Sequence, residues 1–310
     1  MSDKVEVTER PAKTDRAKLV RQRKRRESLS ALLFLVPYGI LLMMFGVIPI
    51  TYAFGMSFFD TIDGVFWGLT NYYVALDDYR LGPSILNILT FVVFWVTATI
   101  LAVTGLSLML DAVGRRLSIL LRTVYFLPGA ITSSAVVVLW LFLLDPLVSP
   151  FQFAFDALGW ETRQHTMAGI GNAGAFALMA FMAHSGGWIV VMGGALSSLS
   201  SEVIDAARVD GANLFQQAIR IKLPMIWRSL CLMGILTFSA GLQIFVEPQL
   251  MRMAGPLYAR DDWSVNQLAF QYAFSFGDFG VAAALSSMLL AVSMAIALVL
   301  IFATKFYHIK

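Results

Sequence analysis

The sequence predicts an all-α integral membrane protein with six transmembrane helices. Of its 310 residues, 58% are hydrophobic and 14% charged, and the mean hydropathy is +0.72. That is more apolar than a soluble domain, which must cover its surface with polar groups. Six windows, 31–54, 85–110, 118–144, 173–198, 229–251 and 281–304, reach the roughly 20 residues that a helix needs to cross a hydrocarbon core. They are continuous apolar runs, unlike the alternating segments of about 10 residues that build a transmembrane barrel. The basic residues follow the same topology. The segments 1–30, 111–122, 199–228 and 305–310 hold 19 of the 23, and the opposite side keeps Arg80, Arg163, Arg252 and Arg260. Because Lys and Arg near span ends are retained inside, both termini are expected in the cytoplasm of a multi-pass cell-membrane protein.

Residues 1–28 form a basic arm without apolar periodicity, ahead of a membrane domain over 29–310. Its "RAKLVRQRKRRE" abuts the first span, where a basic run sets topology and touches anionic lipid, so a lipid bilayer is the expected partner and nucleic acid is not. The first apolar run is longer than a signal-peptide core and stays as an anchor. In 55–84, Gly64, Gly68, Gly82 and Pro83 signal loops, with a short helix around "NYYVALDD". In 145–172, Pro146 and Pro150 precede Phe151, Phe155 and Leu158 at helical spacing, which suggests a helix along the membrane interface. Cys231 stands alone and is expected to be a small buried hydrophobe; no metal cluster can be assembled around it.

Between the fourth and fifth windows lies a charged stretch, "DAARVDGANLFQQAIRIKLP", over 205–224. Asp205 suits a cap or first turn of a helix, where exposed N–H groups favour a carboxylate. Ala206 and Ala207 leave a flat face, and Gly211 supplies a tightly turned residue that ends the helix. A second helix would carry Ala212, Phe215, Ala218 and Ile219 on one stripe, with Arg220 and Lys222 near its end and Pro224 in the first turn of the next span. Two forms satisfy this pattern: a short cytoplasmic helix tied rigidly to a span, or an amphipathic helix lying in the membrane interface.

The stretch resembles the E-A-A, G and I-x-L-P signature of permease subunits of binding-protein-dependent ATP-binding cassette (ABC) importers. Asp205, Ala206 and Ala207 stand at E-A-A, Asp210, Gly211 and Ala212 at D-G-A, and Ile221, Leu223 and Pro224 at I-x-L-P. "WGLTNYYVAL" with Asn87 in "ILNILTF", "VYFLPGAITSSAVVVLWLFLLDP" and "QYAFSFGDFGVAAALS" are similar to the maltose-type carbohydrate branch, and the likeness covers 29–304. The resemblance implies the type I ABC importer permease fold, with a coupling helix in the loop 199–228. It further implies a homologous second permease, an ABC ATPase dimer that holds the ATP and Mg, an extracytoplasmic solute-binding protein and a carbohydrate substrate. Asp205 is shorter than the usual Glu, which alters the reach of its contact with the ATPase.

A carbohydrate path needs hydrogen-bonding groups and aromatic surfaces near the middle of the spans. Glu247 is a carboxylate in the fifth window, Gln243 is expected one turn before it on the same face, and Pro248 is expected to break the helix just after it. Glu247 would otherwise pair with an outer loop, with Arg252 at hand, or with a neighbouring subunit. In the fourth window "AHSGGWIVVMGG" sets His184 and Trp188 at i and i+4 among glycines that equally serve close helix packing. The chain lacks the G-x-x-x-x-G-K-[ST] phosphate loop, so it is not expected to be an enzyme and any ATP hydrolysis falls to a partner. The alternative class is an ion-gradient-driven secondary transporter, for which the spans offer chiefly Glu247 as an ionisable group.

Overall fold

The computed structural model describes residues 33, 35–61, 63–255 and 259–304; the basic arm of 1–28 and the last six residues lie outside them. The chain divides into two compact units, 1–55 and 56–310. The first contributes nearly all of α1, Leu35–Met56, which winds through a π turn at Met43–Val47. Its apolar residues cover the whole circumference, as suits a helix whose surroundings are hydrocarbon.

Among the described residues of the second unit the regular elements are helices, and the β-type pairing is one isolated bridge between Phe59 and Phe66. A short helix α2, Thr70–Asp77, leads into α3, Leu81–Ala112. At 32 residues α3 is about 48 Å long. Its buried residues, Leu81, Ser84, Ile88, Phe91, Val92, Trp95, Thr99, Val103, Ser107 and Leu110, recur every three or four positions, with Val92 beside Phe91, and so form one stripe along the rod. That stripe packs most extensively on α8, Asn172–Ser197, and next on α11, Trp227–Leu242. Two apolar clusters result. One, at the Leu81 end, holds Ile88, Phe91, Trp95, Phe176, Met179, Leu242, Trp263 and Leu268. The other, at the Asp111 end, holds Val103, Leu110, Ile189, Met192, Leu196, Ile226, Leu230 and Met233.

Four helices are long and apolar enough to cross a membrane, α1, α3, α8 and α14 (Phe279–Ala303), and two bent pairs bring the total to six if each counts as one span. The third window is therefore not one straight helix, and the helix that enters the fifth bends just ahead of it, at Ile226. In the third, α4 (Arg115–Phe126) and α5 (Ser133–Leu143) meet at 96°. The cause is "LPGA", wound as a 3-10 turn over Leu127–Ala130: Pro128 has no N–H to extend the α ladder, and Gly129 lies so close to α8 that a Cβ would stand 2.8 Å from the Ala183 carbonyl oxygen. Gly186 and Gly193 continue this close approach. A Cβ on Gly186 would stand 2.1 Å from the Tyr125 carbonyl oxygen, and one on Gly193 would meet the Arg122 guanidinium at 2.3 Å. Glycines seven apart on one face of α8 thus let the backbone of α4 at Tyr125 and the side chain of Arg122 lie directly on it.

The fifth window breaks as well. α11 stops at Leu242, residues 243–245 leave the helix, and α12 restarts over Val246–Ala254. Pro248 causes no break, because in the first turn of α12 its missing N–H is not needed. The remaining helices frame the ends. α6 (Gln152–Ala157) and α7 (Arg163–Ile170) follow α5, and α13 (Val265–Phe274) precedes α14. On α6 only Phe155 is buried; Phe151 and Leu158 on either side stay exposed, so the expected stripe divides between two environments. Cys231 is buried.

Polar side chains fasten the loops at the Leu81 end. Asn71, buried in α2, donates to the carbonyls of Ser57 (3.0 Å) and Phe59 (2.9 Å) and lies against Gly280 of α14. Asn87 donates to the Trp263 carbonyl at 3.1 Å. The Arg80 guanidinium bonds Asp78 at 2.7 Å and Gln271 at 2.9 Å, under the rings of Tyr272 and Phe276. Asp145, 1% exposed, accepts from Arg163 Nε at 2.7 Å and joins the end of α5 to α7.

Two predictions follow from this packing. Gly186→Ala must push α4 off α8, at a cost of about 1–3 kcal/mol for overpacking, whereas Gly187→Ala puts its methyl into open space. Thermal unfolding in detergent should show a fall of several degrees for the first and almost none for the second; equal melting temperatures would contradict the contact. The second concerns pH. The bond from Arg163 holds the Asp145 carboxyl below the usual carboxylate range, and at Asp78 burial pushes upward but the bonds from Arg80 and Tyr272 outweigh it. Both folded values lie below the unfolded value of about 3.9, so their contribution is present above that pH and is lost as pH falls through the folded values. The melting temperature should hold from neutral pH to about 4 and drop below it, with a smaller drop in Asp145→Asn, which starts lower.

Candidate functional site

The stretch 201–225 folds as two helices around one locked turn. α9, Ser201–Val209, places Glu202 in its first turn, so Asp205 lies mid-helix and is not a cap, contrary to expectation. Asp205 Oδ1 accepts instead from Arg208 Nη1, one turn on, at 2.9 Å, with both side chains mostly exposed. Ala207 is buried and Ala206 is not. The helix ends on Gly211 at φ +83°. The Ala212 N–H reaches the Ala207 carbonyl at 2.9 Å and the Gly211 N–H reaches the Arg208 carbonyl at 3.1 Å, which is the paired closure of a Schellman motif. The D-G-A residues are therefore the turn itself, and Ala212 stands outside the second helix.

That helix, α10, runs over Leu214–Met225. It opens on a capping box: Asn213 Oδ1 accepts from the Gln216 N–H at 2.8 Å and Gln216 Oε1 from the Asn213 N–H at 2.9 Å. Gln217, buried, donates from Nε2 to the Ala212 carbonyl at 2.7 Å and so ties the helix back to the turn. Residues Ala218–Lys222 wind as a π turn that contains Ile221. Pro224 belongs to the end of α10 and not to the next span. In a regular helix its ring would strike the Arg220 carbonyl, and the wider π turn occupies that level. The bend to α11 falls two residues later, at Ile226, and measures 68°. Around the turn Val209 is 87%, Leu214 62% and Phe215 75% exposed. Three large apolar side chains thus stand open beside a charged pair.

A second feature lies near the middle of the rod. His184 and Trp188 of α8 border a pocket of 410 Å³ together with Gly187, Val191, Trp95 of α3, and Leu236, Thr237 and Ala240 of α11. The His184 and Trp95 rings lie 5.8 Å apart at 53°. Trp95 Nε1 and Thr237 Oγ1 are buried without a hydrogen-bond partner among the described residues, an uncommon state for such groups. The structure brings His184 and Trp188 together as the spacing suggested, but not with Gln243 or Glu247. Gln243 caps the end of α11, its carbonyl accepting from Asn266 at 2.9 Å, while Glu247 sits in the first turn of α12. Arg252 pairs with Asp261 rather than with Glu247. Trp95 and Thr237 carry no pattern that single out their role in sequence; only the crossing of three helices assembles them.

No family model matches the chain. Among curated proteins, a probable ABC transporter permease protein of Bacillus subtilis, YurN, is 26% identical over 275 residues, covering 86% of this chain and 92% of that protein. The alpha-glucoside transport system permease protein AglF of Rhizobium meliloti is 25% identical over 275 residues, covering 85% and 79%. A solved bacterial ABC transporter involved in alginate import contains a chain that superposes with a TM-score of 0.77 at 18% identity, covering 93% of this chain and 98% of that one. The chain is similar to ABC transporter permeases over most of its length, and it shares the fold of the alginate importer's chain. In this permease fold α3, α8 and α11 form the bundle that surrounds the aromatic pocket, and the α9–α10 turn projects from the bundle's Asp111 end through α11.

The turn yields a third prediction. A left-handed backbone costs a residue with a Cβ roughly 1–2 kcal/mol, and a β-branched side chain tolerates it least. Gly211→Val should leave the bundle folded but open the turn, so that trypsin cuts after Arg208 several-fold faster; an unchanged cleavage rate would show that the turn is held by other means.

Proposed function

We propose that this chain is the membrane-spanning permease of an ATP-driven carbohydrate importer that works by alternating access. The observation that carries the proposal is the α9–α10 element: a rigid helical turn outside the apolar spans that presents Val209, Leu214 and Phe215 beside Asp205. Exposed large apolar residues grouped with a charge mark a protein contact. In this reading the contact is a groove on an ABC ATPase subunit, and Asp205 exchanges Arg208 for a basic residue there. A second permease completes the path, and the ATPase dimer supplies ATP and Mg to the cycle. Closing that dimer moves both coupling elements together, which favours whichever state of the spans binds that arrangement better. Residues 199–228 then face the cytoplasm, as do both termini.

Support for carbohydrate as substrate comes from the relatives' own substrates, which include alpha-glucosides for AglF and diacetylchitobiose for NgcF of Streptomyces coelicolor. The binding-protein partner is supported by the alginate transporter, solved with an alginate pentasaccharide-bound periplasmic protein. The pocket chemistry agrees. An indole offers an apolar face to a sugar ring, and Trp95, Trp188, His184 and Thr237 combine such faces with hydrogen-bonding groups.

The test is purification of the tagged chain from its own membranes in mild detergent, beside Asp205→Lys. Wild type should bring down an ATPase and a second permease, and the variant should lose the ATPase by at least about tenfold while keeping the second permease. A chain recovered alone would contradict the proposal.

A further inference from the structure

Lys222 is the x of I-x-L-P, a position to which the signature gives no role, and in this structure its ammonium lies 2.6 Å from Asp111 Oδ2. The two residues are 111 apart in sequence. Their side chains are 13% and 21% exposed, in contrast to the open Asp205–Arg208 pair. Lys222 closes the π turn of α10, and Asp111 lies in the last turn of α3.

What surrounds the pair defines its task. Between α3 and the bent α10–α11 element opens a cleft of 760 Å³, lined on one side by Ile100, Leu101 and Leu108 and on the other by Leu223, Pro224 and Trp227. Leu223 and Ile226 lean on the apolar cluster that contains Val103 and Leu110 of α3, and across the cleft beside that contact the ion pair adds a charged brace between α10 and α3. α3 in turn carries Trp95 to the aromatic pocket and Asn87 and Ser84 to the loop at its other end. A helix of this length, buried along one stripe, moves as a rod.

We infer that the Lys222–Asp111 ion pair is the strut through which motion of the α9–α10 element is delivered to α3, and hence to the pocket wall at Trp95. Lys222 and Asp111 are positioning residues and not substrate contacts. This rests on the importer reading, and the experiment separates the two. The assembled complex is placed in lipid nanodiscs on a Cys231→Ala background, with nitroxide labels at Glu202→Cys on α9 and Leu86→Cys on α3. MgATP hydrolysis and the label-to-label distance are recorded with and without MgATP and vanadate.

In the otherwise unaltered complex α3 should follow α9, so the distance stays constant while ATP is hydrolysed. In Lys222→Gln hydrolysis should persist but the distance should shift by roughly 2 Å or more on adding nucleotide, the scale of helix slippage at an interface. Lys222→Arg and the exchanged pair Asp111→Lys with Lys222→Asp should restore constancy, which a role confined to stability would not require. A distance that stays constant in Lys222→Gln while ATP is hydrolysed overturns the strut alone. Absence of ATP hydrolysis by the wild-type complex overturns the importer reading and the strut with it.

Discussion

A backbone inside hydrocarbon has no water to bond, so every N–H and C=O in a span must be satisfied by the helix itself. The architecture follows from that constraint. Where the helices do break, the freed groups find partners or the break falls at a proline that has no donor to lose. The 3-10 turn at Leu127–Ala130 uses Pro128 and Gly129, and the interruption at 243–245 receives a bond from Asn266; outside the spans, the turn at Gly211 likewise returns two N–H groups to carbonyls of α9. Breaks that are locally closed are fixed in angle, so each can pass displacement from one helix to the next.

This explains why the polar residues are distributed as they are. At the Leu81 end Asp78, Arg80, Tyr272 and Gln271 bond one another, and Asp145 holds Arg163. These bonds fasten short helices to the rods rather than offering free groups to a ligand. At the Asp111 end the Lys222–Asp111 ion pair lies beside an open cleft, and beyond it the α9–α10 turn stands exposed. Between the two ends the wall is aromatic and lightly polar, which suits a guest with both hydroxyl groups and apolar faces.

Much of this was legible in the sequence, and the failures have identifiable physical causes. Apolar length located the spans, and the positive φ of Gly211 followed from "DGA" standing between two helical patterns. The spacing of His184 and Trp188 placed both on one wall. Hydropathy, however, averages over a window and cannot register a turn whose residues are themselves apolar, so the bends at "LPGA" and Ile226 were invisible to it. The same averaging joined Gln243 and Glu247 into one helix that the structure divides. A carboxylate such as Asp205 suits a cap or a first turn, where exposed N–H groups favour it, but the helix begins earlier, at Ser201. Trp95, Thr237 and the partnership of Lys222 with Asp111 depend on helices meeting across long separations, for which one sequence holds no local sign.

The central claim is that the α9–α10 turn is the surface on which an ATPase docks. Hydrogen exchange on the complex, compared with the same permeases stripped of the ATPase, addresses it directly. The account predicts that amides over 205–217 become strongly protected when the ATPase is present, while those of 145–172 at the other end do not change. Protection that spares 205–217 and appears elsewhere would contradict it.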